Sequence, residues 1–322
     1  MTISVGTFNL NNLFSRYNFL GEVQAHREDD TTVDATVEYV FTDTDTYRLR
    51  TYEGRLVNAK DKRATEAIRD RIMRMDLDVL AVQEVEDIDT LNEFNKVNLA
   101  DKYPYRVLIE GNDPRLIDVG LLSKLPLGAV TSHQKARHRD QPDEDVFGRD
   151  LIEIEVLSAD RSQVLLTVLN THLKSHYVPF NVADPVAESR RADERRARQA
   201  AVIAEVIGKR FAEDQHFVLM GDMNDPPESA FLSGFAVGLG LVNGLASPEE
   251  TRPAKPDAPP PTSKSWTHRF KEAGRPAEYQ LFDHIWLSPS LAGKQRGAMI
   301  NRRSKHGGDG SDHDPAWVVL DL

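Results

Sequence analysis

Time and again along this chain a short apolar run stops at a polar residue that can do chemistry. Residues 3–8 run into Asn9 and Asn11, 79–83 into Glu84, 164–171 into His172, and 217–221 into Asp222 and Asn224. Asp283 lies near the start of the run 281–287, and Asp312 and His313 stand just ahead of the last run, 316–320. Runs this short, rich in β-branched residues and bounded by polar or turn residues, read as strands. Asn or Asp at one strand end has an ordinary use in a turn. Glu84 does not, because Glu is a poor turn former, and Ser311-Asp312-His313-Asp314-Pro315 packs three ionisable groups beside an apolar strand. If the strands share sheets, their polar ends converge on one cleft.

The helical segments are fewer. Ala64, Ala67, Ile68, Ile72 and Met75 recur at helical spacing, predicting an amphipathic helix over 64–75. Further helices are expected over 88–99 and 188–211, further strands over 105–110, 119–122 and 151–157, and a polar loop over 132–148. Strands outnumber helices without a regular βαβ alternation, which favours packed sheets with helices outside. One domain, 1–322, is expected. An acidic β-hairpin insertion is read over about 22–53, with nine acidic residues against three Arg, and a Pro-rich surface loop over 252–264, with five of the 17 prolines.

Composition removes several classes of chemistry. With no cysteine there is no disulfide, thiolate metal site or cysteine nucleophile, so any metal rests on carboxylate, amide, imidazole or water. The charge, 40 Lys+Arg against 51 Asp+Glu or −11, does not suit a broad nucleic-acid-wrapping face. It leaves room for a small basic cleft or a metal. The N-terminus shows no signal-peptide pattern and no run is long enough to cross a bilayer, so a cytoplasmic protein without membrane insertion is expected.

The ordered set Thr7-Phe8-Asn9-Leu10-Asn11, Leu80-Ala81-Val82-Gln83-Glu84-Val85, Asn170-Thr171-His172-Leu173, Gly221-Asp222-Met223-Asn224-Asp225, Phe282-Asp283-His284-Ile285 and Ser311-Asp312-His313-Asp314-Pro315 resembles the endonuclease/exonuclease/phosphatase superfamily. The resemblance spans residues 7 to 315 and is nearest in character to bacterial nuclease-type members. It implies a DNase I-like α/β fold: a four-layer α/β/β/α sandwich, two mostly antiparallel sheets with outer helices. It also implies Mg²⁺ or Mn²⁺ held mainly by Glu84, with Asn11 and Asp312 near it. Asp222 would deprotonate the attacking water; Asn9, His172 and Asn224 would position phosphate oxygens; His313, paired with Asp283, would hold the phosphate. Asn11 stands where many members carry an acid, which favours one metal over two. Lys174, His176, Arg149 and Arg198 are further phosphate-binding candidates, although most of the Arg190–Arg198 run reads as a solvated helical face.

The implied activity is a metal-dependent phosphodiesterase, nuclease-type, acting as a monomer on a phosphodiester such as nucleic acid. The alternatives are a phosphatase of small phosphorylated molecules and a catalytically inactive binding module. Of the other histidines, His26, His133, His138 and His216 are expected to be exposed and His284 to face away from Asp283. His306 is read as part of a flexible lid. Trp266, Trp286 and Trp317 are expected in the core.

Overall fold

A computed structural model of the protein describes residues 1–14, 60–178, 182–250, 265–270, 274–303 and 309–322. The acidic hairpin of 22–53, the Pro-rich loop of 252–264, His26 and His306 lie outside the described residues. In chain order the elements are β1 (Thr2–Leu13), α1 (Lys62–Met75), β2 (Val79–Val85), α2 (Ile88–Glu93), β3 (Tyr105–Leu108), β4 (Asp118–Ser123) and β5 (Leu127–Ser132). There follow β6 (Arg137–His138), β7 (Gln141–Asp145), β8 (Leu151–Leu157), β9 (Val164–His172), α3 (Pro185–Arg210) and β10 (Phe217–Asp222). The chain ends with β11 (Val242–Asn243), β12 (Glu249–Glu250), β13 (His268–Phe270), β14 (Glu278–Gln280), β15 (Asp283–Leu287), α4 (Pro289–Ala292), β16 (Gln295–Ile300) and β17 (Ala316–Asp321).

Two large sheets form, ordered β12-β16-β17-β1-β2-β4-β3 and β11-β15-β10-β9-β8-β5. Pairing is mostly antiparallel, but a parallel pair lies at the centre of each sheet, β1 with β2 and β9 with β10, and the short β12 adds a further parallel pairing with β16 at the edge of the first. A parallel pair needs a crossover, and here α1 and α3 supply it, which sends each helix to one face of its sheet. The side-chain alternation of strands then sorts the core into three. Between the sheets pack Val5, Ala81, Val119 and Val318 from the first and Ile154, Val168, Met220 and Ile285 from the second. Phe8, Leu80, Val82 and Leu122 face outward onto Ile68 and Ile72 of α1 and Leu91 of α2. Leu169, Leu219 and Trp286 face outward onto Ala200, Ile203 and Ile207 of α3. Helix, sheet, sheet and helix therefore stack as four layers, as expected.

Local chemistry sets the helix starts. Asp61 caps α1 by accepting from the Arg63 and Ala64 amides. Asp184 caps α3 at the Ala187 amide with Pro185 in the first turn, so α3 begins three residues earlier than the apolar spacing suggested. The segment 132–148 is not all loop: it holds the short β6–β7 hairpin. His133, His138 and His216 are partly rather than fully exposed. His133 Nε2 lies 3.1 Å from Glu153, and this partner buries a ring whose polar sequence context pointed to solvent. All three tryptophans are buried. Among the described residues no helix is long and apolar enough to cross a membrane.

Candidate active site

Strand direction explains why the polar ends meet. Parallel strands β9 and β10 finish at one edge of their sheet, with His172 and Asp222, and antiparallel β15 begins there with Asp283. The three residues are in register side by side. In the facing sheet β1 and β2 finish at the same end, with Asn9 opposite Gln83, while antiparallel β17 is entered there from Ser311–Pro315. Parallel strands thus contribute their last residues and antiparallel strands the residues that precede or open them.

Glu84 reaches the cleft through a backbone irregularity. Gln83 points inward, donating to Asn170 Oδ1 of the other sheet at 2.8 Å, so simple alternation would turn Glu84 out toward α1. A β-bulge intervenes: β2 advances from Gln83 to Val85 while β4 moves only from Val119 to Asp118. Glu84 is the extra residue, in the left-handed region at φ 60°. Val82 and Val85 consequently share the outer core, and Glu84 is freed. Asn11 (φ 48°) and Asn224 (φ 51°) are left-handed as well. Strain of order 1–3 kcal/mol per such residue persists only where surrounding structure enforces it.

The polar groups form one connected network. Asn9 Nδ2 donates to Asp222 Oδ2 at 2.9 Å and to Glu84 Oε1 at 3.2 Å, bridging the sheets. The Asn224 amide donates to Asp222 Oδ1 at 2.9 Å, and the Asn12 amide to Glu84 Oε2 at 3.0 Å. Asn224 Nδ2 donates to the Leu173 carbonyl at 3.1 Å. His172 Nε2 lies 3.5 Å from Asp222 and 3.9 Å from Glu84. His313 Nδ1 pairs with Asp283 Oδ2 at 2.7 Å, leaving Nε2 aimed at Asp222 Oδ2, 3.7 Å away. Asn11 Nδ2 donates to Asp312 Oδ1 at 2.6 Å. Ser311 ties the 311–314 loop to the Asn9 carbonyl at 2.7 Å and accepts from the His313 amide at 3.0 Å.

Burial separates the charges. His172 is held well below the ordinary imidazole range, first by burial and then by Arg149, and is neutral. Burial also pulls on His313, but the Asp283 and Asp222 carboxylates outweigh it and hold the ring well above its usual value as a cation. Asp222 is pushed up by burial and by Asp283, against the pull of His313. Two sets of potential ligands stand within 4.8 Å of one another, Asp222/Asp283/His313 and His268/Asp312/His313. Glu84, half-open at 20% side-chain exposure, is an all-oxygen donor held by Asn9 and the Asn12 amide, while Asn11 of the same strand end bonds Asp312.

The basic candidates sit differently. Arg149 is buried, with Nε 3.0 Å from Asp113 and Nη1 on the Leu173 carbonyl at 3.0 Å, where it supports the loop after His172. Lys174 turns its ammonium onto the Ser175 carbonyl at 3.1 Å. His176 is half-exposed, 3.7 Å from Asp225. Arg198 is half-buried on α3, and among the described residues no hydrogen bond ties it to the cleft. On α3 it is Arg196 that is fully buried, bonded to Asp225 at 3.1 Å and the Lys174 carbonyl at 2.8 Å. Its four-residue spacing from Ala192 and Ala200 was the available signal. Sequence reading also missed Lys60, whose ammonium donates to the Asn11 carbonyl, and whose pKa burial lowers to about 8 against the pull of Glu84 and Asp312. His268, stacked on Phe282 and bridged to His313, carried no local signal at all.

A four-layer sandwich whose strand ends gather carboxylates, imidazoles and amides defines a class, and sequence comparison agrees with it. The model of the Endonuclease/Exonuclease/phosphatase family matches residues 6–313, so the chain belongs to that family, whose members hydrolyse phosphoester bonds and typically depend on a divalent metal. Among solved structures, an endonuclease/exonuclease/phosphatase from Bacteroides vulgatus superposes with a TM-score of 0.61 at 13% identity, covering 100% of this chain and 99% of the other. Sphingomyelinase C from Streptomyces griseocarneus gives 0.57 at 16%, with 100% of both chains covered. The mannosyl-6-phosphatase of Bacteroides thetaiotaomicron gives 0.53 at 15%, over 80% and 91%. No curated protein sequence matches the chain.

Proposed function

We propose that this protein is a metal-dependent phosphodiesterase that cleaves its substrate by in-line attack of water, with nucleic acid as the substrate class. One observation carries the reading: the Asp283–His313 pair faces Asp222 at 3.7 Å inside a buried amide network. Each Asp222 oxygen accepts one hydrogen bond, from Asn9 or from the Asn224 amide. That fixes the carboxylate while leaving a lone pair for a water proton, the geometry of a general base.

His313, kept cationic by Asp283, presents Nε2 to a non-bridging phosphate oxygen and stabilises charge as it builds. Neutral His172 can bond a phosphate oxygen without adding net charge, while Asn9, whose two amide hydrogens go to Asp222 and Glu84, holds those two carboxylates in place beneath the phosphate. Glu84, Asp312 and Asn11 offer the oxygen donors a hard dication prefers, and so fit Mg²⁺ or Mn²⁺. When bound, that ion supplies Lewis-acid polarisation and offsets charge at the scissile phosphate. In this reading the enzyme acts as a cytoplasmic monomer. A small phosphorylated substrate is the second reading, favoured by the −11 charge, which repels a long polyanion.

The test is hydrolysis of chromogenic diester and monoester phosphates and nicking of plasmid DNA, with EDTA, Mg²⁺ or Mn²⁺. Metal-dependent diester and DNA cleavage is expected, with His313→Ala lowering kcat by about 10³-fold. Monoester cleavage alone would select the small-molecule reading, and no turnover by a folded, metal-loaded protein would overturn both.

A further inference from the structure

His268 has no part in the reaction just described, yet it brings a nitrogen donor to the cleft. Its backbone bridges that of His313 as an isolated antiparallel pair, reinforced by the Asp314 amide donating to the Thr267 carbonyl at 2.8 Å. The two rings therefore lie side by side, tilted by 45° with centroids 5.0 Å apart. Phe282 stacks on the His268 ring at 5.0 Å and 16°, fixing its plane. His268 Nε2 lies 3.9 Å from Asp312 Oδ2, and Nδ1 is buried without a hydrogen-bond partner among the described residues. Donor atoms of His268, Asp312 and His313 all fall within 4.8 Å of one another. Asp312 is half-exposed, so ions reach the group from solvent.

We propose that His268, Asp312 and His313 form a second metal site, nitrogen-rich, that takes a transition-metal dication of the zinc type and blocks the reaction when filled. Two imidazoles and one carboxylate, with a fourth position open, suit Zn²⁺, Co²⁺ or Cu²⁺ and not Mg²⁺, which favours oxygen. His313, pinned by Asp283 through Nδ1, is the fixed corner; it offers only Nε2, and the proton that nitrogen carries leaves to solvent as the dication takes its place. Around a tetrahedral ion with bonds of roughly 2.0–2.2 Å neighbouring donors stand about 3.4 Å apart, and His268 Nε2 lies 3.9 Å from Asp312 Oδ2 before any ion draws them together. The binding half of the proposal stands on these donors alone. The blocking half rests on the proposed function, because a metal on His313 Nε2 removes the atom assigned to the phosphate.

The experiment uses the full chain as wild type, His268→Phe and Glu84→Gln. Phenylalanine keeps the stack on Phe282 and removes both nitrogens. Zn²⁺ binding is followed by calorimetry, Co²⁺ by its visible absorption, Cu²⁺ by nitrogen hyperfine structure in EPR, and Mg²⁺ by thermal shift. Expected are Zn²⁺ binding at least about tenfold weaker in His268→Phe, loss of one nitrogen coupling to Cu²⁺, and an unchanged Mg²⁺ shift and Mg²⁺-supported hydrolysis. Glu84→Gln should keep Zn²⁺ and lose Mg²⁺. Equal Zn²⁺ affinity in wild type and His268→Phe, or Zn²⁺ lost with Glu84, overturns the site. Zn²⁺ held through His268 without inhibiting an active enzyme overturns the blocking half. His268-dependent Zn²⁺ binding in a protein that hydrolyses no phosphoester supports the site and overturns the functional reading alone.

Discussion

In the proposed reaction Asp283 acts through His313, to which it is bonded at 2.7 Å, so its effect should show in ionisation more than in binding. With its charge removed, the His313 cation loses its main support and its pKa falls. Asp283→Asn should therefore move the alkaline limb of the kcat profile to lower pH and lower kcat by about 10²-fold or more, with little change in KM. A packing defect alone would leave the limb in place. Asp118 tests a different ionisation, outside the site. Its carboxyl is buried, accepts the Gly111 amide at 2.9 Å through one oxygen, and has no hydrogen-bond partner for the other among the described residues. Burial raises its pKa to about 7, above the value of roughly 3.9 in an unfolded chain. A raised acid stabilises the fold while protonated, and that stability disappears as pH rises from about 4 through about 7. Asp118→Asn keeps the acceptor and cannot ionise. It should raise stability by about 2 kcal/mol or more at pH 8, and flatten the pH dependence of the melting temperature across that window.

At the scale of elements, the closeness of β9 and β10 depends on one backbone position. Gly221 has φ 130°, and a Cβ there would lie 1.9 Å from the Thr171 carbonyl oxygen. Gly221→Ala must part the strands that carry His172 and Asp222, and should cost about 3 kcal/mol or more in urea unfolding, with activity falling alongside. Gln83 and Asn170 join the two sheets beneath the site. Asn170 accepts from Gln83 and donates to the carbonyls of Val82 and Gly120 at 3.1 and 2.8 Å. Both are amides in otherwise apolar, inward-facing runs, a signal the period-two pattern could have yielded. The bulge at Glu84 could not be read this way, because it depends on how β4 pairs with β2.

For the whole molecule, the consequence of bringing both sheets' ends together is a site that exists only in the folded chain. A dication binding the folded state alone stabilises it by mass action, about 2.7 kcal/mol at a hundredfold excess over Kd. Mg²⁺ should raise the melting temperature of wild type, EDTA should reverse this, and Glu84→Gln should abolish it. Equal melting of wild type with and without Mg²⁺ would refute a Glu84 metal site. The sequence determined which residues could take part, since Asn9, Glu84, His172, Asp222, Asp283 and His313 each interrupt an apolar pattern, and that is local information. It also determined the strand-rich layering, through periodicities of two and 3.6 residues. The tertiary structure alone decided which of these groups touch, which charge they carry, and that His268 packs against His313. Those outcomes depend on desolvation and on pairings between residues tens to hundreds of positions apart, such as Asn9 with Asp222, for which no stretch of sequence holds both partners.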